Sequence, residues 1–350
     1  MSLLRALIGT VRSARHTPRL AAGFVPDDDV LLDAPDERLA PALVAAALDD
    51  PEPAAKLLAT TRDAGEWEDR DRYVTRLATF AHRRDDWLTH WLAAAPGDPD
   101  AVLVTAQLSV RRAWESPARA ERLRELGPLI TAVAEAASHD PVPWRLALDH
   151  ARGAHAGHTV FESLWEQAVR RSPHHYGSHV AALKYLSAQW YGSHRAAFDF
   201  AEQAADDAAA DSLVRALPVR AAYDRLRMPA HLDPSVVEAR IDRAAHRALA
   251  LSASFPTGDP WPAEVRNLLA YVLVERARWE EAAEEFGRVG AHATSFPWGA
   301  ARGAGRSAVR DDPLRGFLTA RDRVRGEVAR RTPLWGTGGG RAGRHGPGGH

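Results

Sequence analysis

The chain has 350 residues, 45% of them apolar, with 45 basic and 46 acidic side chains and a formal net charge of -1. That is enough apolar material for one large or two ordinary domains, and the absence of cysteine excludes disulfides, thiolate metal centres and a cysteine nucleophile. The neutral total conceals a segregation: residues 1–25 carry +4, residues 300–350 carry +7, and residues 26–299 are left with -12.

A body of that sign is not expected to bind nucleic acid, whose affinity comes from cations neutralising phosphates. A protein or peptide partner, preferably basic, suits the body, while acidic surfaces suit the ends. Only Lys56 and Lys184 of the basic residues are lysine, and 68 positions are alanine. This is the mark of GC-rich bacterial coding, so arginine number alone carries no mechanism.

Taken in chain order, residues 1–25 form a basic N-terminal segment in which Leu3, Leu4, Leu7, Ile8 and Val11 follow helical spacing. Arg5 and Arg12 interrupt the apolar run that an export signal needs. A helix docked on the body is expected, with recruitment to a membrane surface through residues 1–19 as the alternative. No run reaches the roughly 18 apolar residues of a membrane span, so a cytoplasmic location is expected.

Residues 26–330 read as one helical-repeat domain. Asp-Pro pairs at Asp50, Asp98, Asp140, Asp233, Asp259 and Asp312 each mark a helix start, because the carboxylate accepts orphan amide hydrogens and proline fits the first turn. Between them apolar residues repeat near 3.6, as in Val265, Leu268, Leu269 and Val272. The fold class is therefore all-α. Short connectors and helices of about 10–20 residues favour antiparallel neighbours, and so many helices suit an α-solenoid of stacked hairpins better than one bundle. Residues 331–350, almost only Gly, Arg, His and Pro after Gly336, are expected to be a disordered tail.

Residues 263–289 resemble a tetratricopeptide hairpin, with Leu269 and Ala270 in the first helix and Ala282 and Phe286 in the second. Weaker matches place Leu148, Trp165, Ala168 and Pro173, then Leu183, Ala196 and Phe200. The helix starts keep no constant period, so the hairpins are irregular. The run Leu183 to Ala201, centred on Trp190-Tyr191-Gly192-Ser193, with Gly65-Glu66-Trp67 and Arg112-Ala113-Trp114, resembles the bacterial domain-of-unknown-function family numbered 4034 over residues 60–225. Tyr191 stands where that family usually has glycine. The resemblance implies a helical, tetratricopeptide-like fold and adds no reaction.

The expected function is that of a protein-interaction or scaffold module. Its best local candidate for partner binding is Trp190, Tyr191, His194 and Arg195, which combine aromatic area with charge-assisted donors. The competing reading has Trp190 packing between helices while Gly192-Ser193 turns the chain and caps the next helix. An enzyme or metal-dependent protein using the His-rich region 150–194 is the alternative. His175 and His179 lie four apart, on one helix face, but lack a third ligand and the glutamate of a metalloprotease helix. No phosphate-binding loop, no nucleophile elbow and no cofactor motif is present in a credible context.

Overall fold

Of the six Asp-Pro pairs, Asp233 lies outside the described residues, and the others stand where the chain enters helices. Asp98 accepts the Asp100 and Ala101 amides and opens a helix over Pro99–Glu115, Asp140 accepts the Val142 amide at 2.8 Å, and Asp312 accepts the Leu314 amide at 3.0 Å. Asp259 is the exception. It accepts the Trp261 amide at 2.9 Å, but the helix begins only at Ala263, because Pro262 disfavours helical backbone at the residue before it.

The structure, a computed structural model, describes residues 24–227, 234–299 and 312–331; the N-terminal amphipathic run and the Gly/Arg/His tail lie outside them. Among these residues it is all-α, with 17 α-helices: α1 (Leu39–Ala47), α2 (Glu52–Ala64), α3 (Trp67–Ala81), α4 (Asp86–Ala94), α5 (Pro99–Glu115), α6 (Arg119–Glu125), α7 (Gly127–Ala136), α8 (Val142–Gly153), α9 (His158–Arg171), α10 (Tyr176–Tyr185), α11 (His194–Asp207), α12 (Leu217–Arg227), α13 (Pro234–Ala253), α14 (Ala263–Glu275), α15 (Trp279–Val289), the single turn α16 (Ser295–Trp298) and α17 (Pro313–Arg331). No helix of the described residues is long and apolar enough to cross a membrane.

Sequence neighbours pack in pairs, α8 on α9 and α14 on α15 among them, and alternate helices also touch: α8 on α10, α10 on α12, α12 on α14. In the α14–α15 pair, Leu269, Ala270, Ala282 and Phe286 are all buried. The alanines let the two helices approach, and Phe286 fills the space beyond them, meeting Trp298 and Phe317. Trp87, Trp91, Trp279 and Trp298 are buried in the same manner between helices.

One feature had no local signal in the sequence. Residues 24–33, before the first helix, belong to the core of the last ones: Val30 is buried with α14 and α15 residues, and Phe24 meets the Phe286 ring edge-on at 6.4 Å. The two-residue strand β1 (Leu31–Leu32) pairs in parallel with β2 (His292–Ala293). Asp33 then accepts the Ser295 amide at 2.9 Å and the Ser295 hydroxyl, while Arg321 binds the Asp27 carboxylate and the Val25 carbonyl. The chain thus closes on itself, and α1 starts from a point fixed by the C-terminal helices.

Candidate inner-face charge site

Two of the helices that touch at alternate positions carry one pattern. Arg145, Asp149 and Arg152 on α8, and Arg220, Asp224 and Arg227 on α12, are each spaced i, i+4, i+7, which places each set on one helix face. Between them runs α10, which contributes Tyr176 and Lys184. The N-terminal turn of α3 approaches from across the chain: Glu68 accepts the Tyr176 amide at 2.7 Å, over 108 residues of sequence. Gly177 permits that approach, since a Cβ there would strike the Asp71 carboxylate. Gly177→Ala is expected to push α10 off α3 and to lower the unfolding free energy by about 1–3 kcal/mol, read by urea denaturation.

The electrostatics of this face are set by burial and by close neighbours. Arg145 donates to the Asp71 carboxylate and, at 2.9 Å, to Gln107 Oε1 on α5. Arg152 donates to Asp149 at 3.1 Å and lies over the rings of Trp114 and Trp190. Burial alone would raise the Asp149 carboxyl, but Lys184, Arg152 and Arg145 outweigh it and hold it below the usual carboxylate range. Arg220 pairs with Glu264 on α14 and stacks over the Phe296 ring at 4.5 Å.

Three ionisable side chains on this face have no ion-pair partner among the described residues: Glu68, Lys184 and Asp224. Burial pushes the Glu68 carboxyl up to about 8, with Asp71 and Asp69 adding to the rise. Burial also raises the Asp224 carboxyl, against the pull of Arg220 and Lys184. The Lys184 amine is lowered, first by burial and then by the Arg220 and Arg152 guanidiniums, with Asp149 and Glu264 opposing. None of the three is sealed from solvent; each is partly exposed. Acids made weaker and an amine made less basic on one partly accessible face are the pattern of a functional site.

The residues singled out from sequence lie beside this face and divide among several tasks. Trp190 meets Trp114 edge-on at 5.5 Å, and Arg119 covers both rings. Tyr191 stacks on Tyr185 at 4.7 Å, and its hydroxyl meets His155 Nδ1 at 2.7 Å. Ser193 accepts the Ala196 amide and caps α11, and Gly192 is required because a Cβ would strike the Leu186 carbonyl. His194 is half-buried, its basicity lowered by burial and by Arg225. Arg195 is the most open of the four, its side chain 86% exposed and 3.6 Å from Asp199. Trp190 and Tyr191 thus pack against α5, α8 and α10 while staying partly exposed, and Arg195 is the most displayed of the four.

His175 and His179 are both buried. His175 Nδ1 faces the Ser178 hydroxyl at 2.9 Å and caps α10, with Nε2 3.6 Å from Asp71. His179 Nδ1 donates to the His175 carbonyl at 2.9 Å, and its ring sits against Trp165 and Phe200, where burial lowers it to about 4. Among the described residues no group of three or more His, Asp or Glu side chains is placed to hold a metal ion.

The inner-face residues escaped the sequence reading, although two signals were available. Lys184 is one of two lysines among 45 basic residues, and Arg-x-x-x-Asp-x-x-Arg occurs in both α8 and α12. Comparison with protein-family models, with curated proteins and with solved structures returns no match to this chain.

Proposed function

We propose that the chain is a stack of irregular tetratricopeptide-like hairpins, akin to the family numbered 4034, that works as a protein-interaction module and holds a basic polypeptide segment against the face formed by α3, α8, α10 and α12. The observation that carries this reading is the unmatched charge of that face. Two carboxyl groups, Glu68 and Asp224, and one amine, Lys184, lack ion-pair partners among the described residues, while Arg145, Arg152 and Arg220 are each paired. Burial raises the cost of charging both carboxyls, and a bound cation offsets that cost, so the gain is realised in the complex. The acidic body, -12 over residues 26–299, steers the same kind of ligand.

The test is a binding screen of the full chain against short synthetic peptides of matched length and basic, neutral or acidic composition. Basic peptides are expected to bind best, and Asp224→Asn to weaken the best of them by about tenfold or more, the loss of one charged contact. Equal retention of all three classes, or unchanged affinity in Asp224→Asn, overturns the reading.

A further inference from the structure

The first helix is apolar on two sides, and only one of them is covered. Leu39, Ala42 and Ala46 of α1 are buried where it packs on α2, α3 and α4. On the opposite side Pro41, Val44, Ala45 and Leu48, spaced i, i+3, i+4, i+7, floor an open trough that Glu37 and Asp50 help to wall. Four large apolar side chains are exposed among the described residues, and two of them, Val44 at 63% and Leu48 at 78%, lie together here. A helix with apolar residues all round is normally buried all round, and a grouped apolar patch with a polar rim marks an interaction site. The rim carries negative charge that is not answered locally: Glu37 and Asp50 are both exposed, and neither has an ion-pair partner among the described residues.

We propose that the chain's own N-terminal segment covers this trough, with Leu3, Leu4, Leu7, Ile8 and Val11 laid against Val44 and Leu48. Of the stretches outside the described residues, only residues 1–23 carry large apolar residues at helical spacing. A helical run from Leu3 to Val11 has a length of about 13 Å, which matches the nine residues of α1. Arg5 and Arg12 stand near the two ends of that run, with no acid among residues 1–23, and so supply the charge that Glu37 and Asp50 lack. A second copy of α1 offers no such match, because it brings the same acids and Leu39–Ala47 holds no cation. The connection is long enough. The described chain leads from Phe24 to α1 by a path shortened by the helical turn Asp27–Asp29 and the positive φ of Asp33, and the twelve residues from Arg12 to Gly23, up to about 40 Å when extended, can run back beside it. The contact shares no residue with the face of α3, α8, α10 and α12, and it does not depend on peptide binding there.

The absence of cysteine lets two introduced thiols report the contact in the full chain. Leu7→Cys is combined with Leu48→Cys in one variant and with Val160→Cys, on α9, in another. Leu48 and Val160 are both exposed, so neither substitution opens the core. Each double variant is treated with a short bis-maleimide, and the intrachain product is followed by mass spectrometry. Docking holds the two thiols together beyond what a free tether does, so crosslinking to position 48 is expected to run about tenfold faster than to position 160. Equal rates overturn the proposal, and so does a chiefly interchain product, which would place a second copy in the trough. Arg5→Glu with Arg12→Glu, added to the first variant, is expected to remove most of the preference at low salt, where exposed charges act most strongly; an unchanged preference overturns the pairing of charges.

Discussion

Replacing Arg70 by leucine is expected to lower the unfolding free energy by about 3–5 kcal/mol, the range for removing one partner of a buried charge network. The Arg70 side chain is almost wholly enclosed: Nη2 donates to Asp100 at 2.6 Å, Nε to Asp140 at 2.6 Å, and Nη1 to the Leu58 carbonyl at 2.9 Å. It therefore ties α3 to α2, α5 and the start of α8. Leucine fills much of the space but leaves two buried carboxylates, one of them retaining only Arg62 as its cation. The other, Asp140, also caps α8 through Oδ1, so its movement loosens the helix that carries Arg145, Asp149 and Arg152. Urea denaturation of Arg70→Leu beside Asp140→Asn separates the two effects, because asparagine keeps a capping oxygen. The double variant is expected to lose less than the sum of the singles; strict additivity contradicts a shared network.

How far the sequence reveals this molecule depends on the range over which each signal acts. Helix starts are local, and Asp98, Asp140 and Asp312 sit within three residues of the amides they bind. Hairpin packing is nearly local, and Ala270, Ala282 and Phe286 are buried within one pair of sequence neighbours, α14 and α15. The second task of the same aspartates is invisible to such a reading, because the Asp140–Arg70 contact spans 70 residues. The strap over residues 24–33 is more extreme: its acids look like a solvated run, yet Asp33 meets Ser295 across 262 residues. The inner-face charges fail for a different reason. An Arg-Asp-Arg triad at helical spacing on an alanine-rich helix has the same pattern whether that face meets water or another helix. Only the packing of α8, α10 and α12 side by side brings the two triads to one candidate face, whereas the aromatic run at Trp190 draws attention through composition, and its rings meet Trp114, Tyr185 and His155.

The Glu68 carboxyl, on the same network, gives the stability of the protein an unusual dependence on pH. Its acidity is raised by burial to about 8 from an ordinary value of 4.5, so between those limits the folded chain holds a proton that the unfolded chain has released. Stability from this group is then fully present below pH 4.5 and is lost as pH rises through about 8, the reverse of the usual salt-bridged carboxylate. A shift of that size corresponds to a few kcal/mol at most; with the side chain partly exposed, on the order of 2–3 kcal/mol is expected. Glu68→Gln keeps an oxygen for the Tyr176 amide and has no proton to lose. The variant is therefore expected to match the parent near pH 5, where acid denaturation permits, and to exceed it by that margin near pH 9. Paired urea titrations at the two pH values decide it: a difference between parent and variant that does not grow with pH would mean that Glu68 is ionised in the folded chain, balanced by Arg72 and the Tyr176 amide.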